Sequence, residues 1–597
     1  MSESISNERL SKRNLWGYSM GGIGRDMAYQ LVNTYLLTFI TFTKGLSNTE
    51  FAMVGVIMVI CRIFDGCNDP FMGSIIEITR TKIGKFKPWI LAGVFTNVAV
   101  IIALFCVPLR GTSYLIFFAF GYLLWGMTYT MNDISYWGMM PSLSSNPNDR
   151  NNLATLANIG AGVGAGLSVL AIPSLTQGNL AIAPNASKSY AIVSIIVCIL
   201  FFACQIMTVL VVKEKPLPKV RVDDGEKRSL KEMFRVIFKN DQLKPVMAAM
   251  LLYSIGSGIT MALASYWIYY RFAYQGLLVT LFTVISGVST LVIVFFPMMC
   301  KKHSRRWISK LSMIMIIVGY LLMFIISLAT GADPKADKVG FKVGEVFIPV
   351  TFIFTGLSGA CAFFGQTLFY QVLTISVANT VEYNEYTTGM RDEGVIFACR
   401  PFTTKLGSAA VVGITTLVVL ALGLNPTNKA ISNADYEAGQ LAVQVEQLVK
   451  DETPNFDSLS KEEQTKLIEA KKKSIETENV AKIENIIHTN EDTKVAKWQY
   501  QTMFAFMTLL PLVILLGSFA IYFKKYNISE ERYDEICAEI AKRKLAAEGN
   551  AEVVLDGADV NELENDLASS DAETPDEIFE QEAAADKISK APDEVEK

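Results

Sequence analysis

The chain is predicted to be an all-α membrane protein of twelve transmembrane helices, built as two six-helix pseudo-repeats. Three observations predict this. Of the 597 residues, 51% are apolar, more than a soluble protein of this length needs for its core. These residues gather into twelve stretches of about the 20 residues that cross a bilayer, near 17–43, 50–78, 88–108, 112–140, 153–173, 189–212, 246–271, 276–299, 308–329, 346–380, 394–424 and 498–523. Finally, a polar linker at 213–244 divides the spans six and six, and a basic loop follows the second span of each half, TRTKIGKFK in one and KKHSRRWISK in the other. Transporters built from such repeats place substrate and coupling ion near the midplane and rock one half against the other.

Taken in order, residues 1–15 are a polar N-terminus without the layout of a cleaved signal peptide. The first bundle runs over 16–212, the linker over 213–244 and the second bundle over 245–523. Within the linker, SLKEMFRVIF sets Leu230, Phe234, Ile237 and Phe238 at helical spacing beside Lys231, Arg235 and Lys239, which suits a helix lying on the membrane surface. Residues 425–496 form a long insertion between spans eleven and twelve, where Ser460 and Glu463 make a capping-box pattern ahead of a charged helix. The tail, 524–597, starts with the helix-like SEERYDEICAEIAKRKLAA and turns acidic and poor in aromatics, a composition that favours disorder. Lys and Arg concentrate in the loops after even-numbered spans and in the linker. By the positive-inside rule both termini are cytoplasmic and the insertion is external, in a multi-pass protein of a bacterial cytoplasmic membrane.

Several classes of function are excluded. The nine cysteines show no CxxC pattern, and eight sit in or beside apolar stretches, which reads as buried thiols. With only two histidines, His303 and His488, a zinc site is not expected. No nucleotide loop, metal cluster or nucleophile–base pair points to an enzyme, and no cofactor or nucleic-acid partner is expected. The net charge of −4 is concentrated in the tail and says little about partners.

The chemistry resides in charges where hydrocarbon tolerates none. Asp65 and Asp69, in CRIFDGCNDPFMG, lie one helical turn apart on the second span, with Asn68 beside them and Thr130 of the fourth span within reach. An ionised carboxylate at the centre of a membrane helix costs ~2.5–3.5 kcal/mol or more, so such residues face a cavity or partner and mark ion paths. Hard oxygen donors with net negative charge suit a small monovalent cation, and two neighbouring carboxylates otherwise repel until one takes a proton. The site is therefore expected to hold Na+, with Li+ or a proton as alternatives. On the first span, Arg25 and Asp26 are adjacent but point about 100° apart, so each needs a further partner. Asp26 shares a face with Gly22, Tyr29 and Gln30. The fourth span, GMTYTMNDISYWGMMP, projects Tyr129, Thr130, Asp133, Tyr136 and Trp137 along one face. A carboxylate that accepts from vicinal hydroxyls, next to an indole that covers a sugar's CH surface, suits a polyhydroxylated ligand. On the eleventh span Arg400 and Lys405 need counter-charges, and the four aspartates are the acids available, so a charge network joining the halves is expected.

At these residues the chain resembles the glycoside–pentoside–hexuronide:cation symporter family of the major facilitator superfamily. The matching segments are RIFDGCNDPFMG with TRTKIGKFKPWILAG, YTMNDISYWGMMP, VEYNEYTTGMRDEG and PFTTKLGSA. The likeness covers about 10–425 and the last span, and leaves out the insertion and the tail. The resemblance implies the major facilitator fold. It also implies that Asp65, Asp69 and Thr130 serve the coupling cation, that Lys405 communicates with that site, and that Asp26, Asp133 and Trp137 bind sugar. Arg25 stands where the family often has a basic residue, and Tyr370 and Arg400 where it can have a tryptophan and a glutamine. One departure matters. Where the family's fifth span commonly carries a sugar-binding arginine, NNLATLANIGAGVG offers Asn158, a neutral amide in place of a bidentate cation. Galactoside specificity is therefore not carried over.

The expected function is symport of a sugar or glycoside with a cation, Na+ preferred over H+, by a chain that works as a monomer in the bilayer. A proton-coupled carrier of hexuronides or of a lipid-like solute is the alternative within transport. A transporter-like sugar sensor signalling through the acidic tail is the alternative outside it.

Overall fold

The computed structural model describes residues 10–144, 147–214, 235, 238–330, 339–343, 346–390 and 392–553. The amphipathic SLKEMFRVIF segment lies almost wholly outside the described residues, as does the acidic end of the tail after 553. The protein is a helical membrane protein. Six long helices make up the first half: α1 (Lys12–Thr43), α2 (Asn48–Ile78), α3 (Lys87–Cys106), α4 (Gly111–Met139), α5 (Pro147–Thr176) and α6 (Ala186–Val211). The second half holds α7 (Leu243–Arg271), a span split into α8 (Gly276–Ser289) and α9 (Phe296–Lys302) by a 3-10 stretch, α10 (Arg305–Thr330), α11 (Val350–Thr388), α12 (Glu393–Ala421) and α16 (Lys497–Lys525). Between α12 and α16 stand α13 (Asn425–Val443), α14 (Val445–Glu452) and α15 (Lys461–His488), and α17 (Glu530–Val553) follows α16.

Ten of the helical spans are long and apolar enough to cross a membrane. The other two long helices of the bundles, α1 and α2, are the ones that carry Arg25, Asp26, Arg62, Asp65 and Asp69, charges that dilute their apolar character. Their starts are well set. Ser11 accepts from the Asn14 amide at the head of α1, and Ser47 with Glu50 closes a reciprocal capping box on α2. The same reciprocal pattern forms at Ser460 and Glu463 ahead of α15. One apolar run folds differently from the sequence expectation. Val346–Pro349, read as the start of the tenth span, pairs antiparallel with Gly340–Val343 as a short hairpin, and the helix begins only after Pro349. Proline fixes its own φ and has no N–H to donate, so it suits a helix entry better than an interior.

The duplication is visible in the packing. In the first half α1 packs on α5 and α6, α3 on α4 and α6, and α2 on α4; in the second, α7 packs on α12 and α16, α10 on α11 and α16, and α8 on α11. Equivalent carboxylates follow the sixth span of each half. Glu214, just past α6, accepts from the backbone amides of Lys85 and Lys87 at the start of α3. Glu530, just past α16, accepts from the backbone amide of Arg305 at 2.6 Å and from its guanidinium at 3.0 Å. Both place a negative charge at a helix N-terminus, where the dipole favours it.

Close backbone approach tightens each bundle. A Cβ at Gly160 or Gly164 would run into the carbonyls of Ser19 or Ile23, so α5 meets α1 only because these positions are glycine. The cysteines are less uniformly buried than expected: Cys198 and Cys399 are buried, but Cys67 and Cys300 are exposed.

Candidate functional site

Two ionic clusters carry the site, one bridging the halves and one within the first half, and α4 serves both. In the first, α2 presents Asp65 and Asp69 on one face, as their four-residue spacing requires. The Lys405 ammonium of α12 lies between them, 2.9 Å from Asp65 Oδ2 and 2.8 and 2.7 Å from the two oxygens of Asp69. Thr130 of α4 donates to Asp65 Oδ1 at 2.7 Å and reaches Asp69 Oδ1 at 3.4 Å. The acids are 22% and 31% exposed and the lysine 26%, so the cluster is neither sealed nor fully solvated. Two carboxylates and one ammonium leave one formal negative charge. Asn68 lies half-buried on the same helix and makes no described contact with the cluster.

In the second cluster, Arg25 of α1 is 3% exposed and finds the partners its position demands. It donates to Asp26 Oδ2 through Nε at 3.0 Å and Nη2 at 2.6 Å, and its Nη1 lies 3.2 Å from Asp133 Oδ1 of α4. The guanidinium is stacked over Tyr136 and Trp137, at 4.6 and 4.8 Å from the ring centroids. Both acids stay more open than the arginine, at 22% and 35%, and Trp137 is half-buried. Arginine thus backs the two carboxylates while their free lone pairs face space. Tyr129, four residues before Asp133 on the same helix, joins an aromatic group with Tyr29 and Trp125 at centroid distances of 5.1 and 5.8 Å. Thr130 and Asp133 are one turn apart on α4, so a shift of that helix moves both clusters together.

Three sequence-selected residues take other positions. Tyr136, projected onto the ligand face, is fully buried: it stacks on Tyr18 at 4.5 Å, and each hydroxyl donates to the other residue's carbonyl, pinning α1 to α4. Arg400, expected to pair with an aspartate, instead donates from Nε and Nη2 to the Tyr370 hydroxyl at 3.2 and 2.8 Å. It points to α11, away from the Lys405 cluster, and Tyr370 in turn stacks on Tyr253 at 5.4 Å. Asn158 is exposed on α5, its amide donating to Ala154 O one turn back, and it touches none of the Arg25 cluster.

One charge was missed. Arg62, one turn before Asp65, is buried; it donates to the Tyr122 hydroxyl at 3.1 Å, to Asn33 O at 3.0 Å and to Ser408 of α12. Its place in the apolar run MVICRIF was the available signal. The halves also meet towards the insertion. There, Thr41 meets Tyr266 at 2.9 Å, Ser174 meets Thr280 at 2.8 Å and Gln177 donates to Tyr274 at 3.1 Å. The halves are thus closed against each other at the insertion face.

The family model described as "MFS/sugar transport protein" matches residues 17–442, well over half of the chain. The chain belongs to this family. Members of the MFS/sugar transport family are transporters, not enzymes, and the matched range contains both clusters. Among relatives, the lactose permease of Lactobacillus delbrueckii subsp. bulgaricus is 28% identical over 68% of this chain and 63% of its own length. The raffinose carrier protein of Pediococcus pentosaceus is 26% identical over 71% of this chain and 64% of its length. A putative sulfoquinovose importer of Escherichia coli is 25% identical over 71% of this chain and 85% of its own length. The chain spans less than two thirds of the length of the first two relatives.

Proposed function

We propose that this chain carries a sugar or glycoside across the cell membrane together with a monovalent cation, Na+ in preference to H+, by alternating access. The relatives named for lactose and raffinose support the substrate class. One observation carries the coupling: the Lys405 ammonium rests on Asp65, Asp69 and Thr130 from the opposite half of the molecule. A cation entering there meets only oxygen donors, which suits Na+, and it competes with Lys405 for the same lone pairs. Its arrival loosens the lysine from α2. The contact between the halves thus depends on ion occupancy.

The sugar would be held beside it. Asp26 and Asp133 accept from vicinal hydroxyls, Arg25 holds both carboxylates in place, and the Trp137 indole covers an apolar sugar face. Because Thr130 and Asp133 share α4, filling the cation site also sets the orientation of the sugar carboxylate. In this reading both termini are cytoplasmic and the insertion is external, so the face closed in the present conformation is the outer one. Uptake of a panel of glycosides, pentosides and uronides into sealed vesicles, with and without a Na+ gradient, tests the proposal; uptake that ignores both Na+ and proton gradients contradicts it.

A second reading, transport of an anionic sugar such as a hexuronide, draws on Arg400. Among the described residues its guanidinium is held by a neutral hydroxyl rather than a carboxylate, which leaves positive charge for a ligand. Preference for uronides over neutral glycosides in the same panel, lost in Arg400→Gln, would select it.

A further inference from the structure

The insertion belongs by sequence to the second half, and the structure ties it there. Only Leu422–Leu424 separates α12 from α13, with Gly423 in the left-handed region at φ 65. Thr427 donates to Thr493 O, Gln499 donates to Leu422 O at 2.6 Å, and the Tyr270 hydroxyl of α7 donates to Asn428. His488 at the end of α15 meets Tyr270 O at 3.0 Å.

Yet a second set of buried polar contacts reaches across to the first half. Asp435 of α13 is 2% exposed, and its carboxylate covers the start of α6. It accepts from the backbone amides of Ala186 and Ser187 and from the Asn185 side chain, whose amide also donates to Asp435 O at 3.1 Å. Here an acid from another helix fills the role of a cap at the positive end of α6. Arg110, before α4, donates to Ser432 O at 3.0 Å, Ser432 Oγ at 2.9 Å and Asn433 Oδ1 at 3.0 Å, and stacks on Tyr436 at 4.5 Å. Asn425 donates to Leu46 O at 3.0 Å, and Asn479 of α15 to Pro184 O at 3.3 Å. Apolar side chains on both sides support these bonds, since Ile431, Ala434, Ile483 and Ile487 belong to the same buried cluster as Phe39 and Tyr190.

We propose that residues 425–496 form a lid, carried by the second half and latched onto the first through Asp435 and Arg110, that holds the insertion-face gate shut and must release before that gate opens. This rests on the alternating-access reading. Rocking separates the halves at this face, and a segment bonded to both cannot follow both. The second-half bonds lie at the insertion's two roots, so the first-half bonds are the ones that part.

Two experiments on the full-length chain test it. The first joins Pro184→Cys to Asn479→Cys with a short thiol cross-linker in vesicles. Cross-linked protein should lose at least ten-fold in transport and each single variant should not; cross-linked protein that transports at more than half the parental rate overturns the lid. The second reads the gate without any sugar. Thr280→Cys, 5% exposed beside Ser174 at the closed seam, is labelled with a membrane-impermeant maleimide from the insertion face, and counted against parent protein lacking it. Adding Asp435→Ala, which removes every side-chain acceptor of the latch, or separately Arg110→Gln, should raise the labelling rate at least three-fold. An unchanged rate in both overturns the proposal. If the parent moves none of the sugars offered, the sugar reading fails while the labelling result still decides the lid.

Discussion

In the proposed sugar site, Asp133 is the residue on which binding turns. It is half-open, it lies opposite Asp26 across one guanidinium, and it stands one turn from Thr130. Asp133→Asn keeps the shape but removes an acceptor charge and leaves Arg25 short of one counter-charge. We expect sugar binding, measured by calorimetry on purified protein, to fall by more than ~100-fold, on the order of the 3 kcal/mol that losing a charge-assisted, buried partner costs, while the protein still reaches the membrane. In the same proposal, Lys405 carries the coupling. Lys405→Met leaves two adjacent carboxylates without their ammonium, and these relax by holding a proton between them. Na+ stimulation of uptake should then vanish, even if exchange of sugar down its own gradient persists. A variant whose uptake still rises with Na+ as in the parent contradicts the role given to Lys405. At this scale much was legible in the sequence. Asp65, Asp69, Lys405, Arg25 and Asp133 stand out because hydrocarbon gives an unpaired charge no other excuse, and the fold brings them into two clusters. What could not be read was the choice of partner. Arg400 goes to Tyr370 and Tyr136 is sealed against Tyr18, because a one-dimensional projection shows which face a side chain is on but not which helix covers it.

At the scale of elements, the seam between α1 and α5 depends on two glycines. Gly164→Val forces a branched side chain against the Ile23 carbonyl, and overpacking of this kind costs ~1–3 kcal/mol or more. Gly166, on the same helix, has nothing within 4 Å of an added Cβ, so Gly166→Ala should change stability by no more than ~0.5 kcal/mol. Thermal unfolding in detergent compares the two, and equal effects contradict the packing described. The α13–α6 contact carries a pH dependence of its own. Burial pushes the Asp435 carboxyl up to about 6, against the pull of the Ala186, Ser187 and Asn185 hydrogen bonds and of Arg110. Lys44 and Tyr274 are the other titratable groups that sense it. A lifted lid returns the acid to water and to an ordinary value near ~3.9, so closing takes up a proton. Closure is therefore favoured fully below that ordinary value, and the advantage is lost as pH rises through about 6. Labelling of Thr280→Cys, normalised to an exposed cysteine, should be slower at pH 5 than at pH 7.5, and Asp435→Asn should flatten the profile. The sequence marks the insertion by its length and its capping box, but no local pattern reveals that Asp435 would cap a helix about 250 residues earlier in the chain. Likewise, the VFIP run is apolar enough for a span, and only its pairing with GFKV shows it to be a strand.

Across the whole molecule, the two halves repeat the same helix pairings and the same carboxylate after the sixth span, and they meet in an ionic seam and a closed gate. The repeat was legible because loop charge and span count survive in the sequence when little else does. The conformation was not, since one chain encodes every state of the cycle, and only coordinates show which gate is shut. The central claim is that ion occupancy at Asp65 and Asp69 competes with Lys405 and thereby controls passage of sugar. It is tested most directly by initial uptake into sealed vesicles containing the purified protein, across a sugar panel, with an inward Na+ gradient, a matched proton gradient or neither. The account predicts that at least one sugar accumulates above equilibrium with the Na+ gradient, that dissipating the gradient abolishes the accumulation, and that Asp69→Asn abolishes it as well. Accumulation that is indifferent to both gradients, or that survives intact in Asp69→Asn, would contradict it.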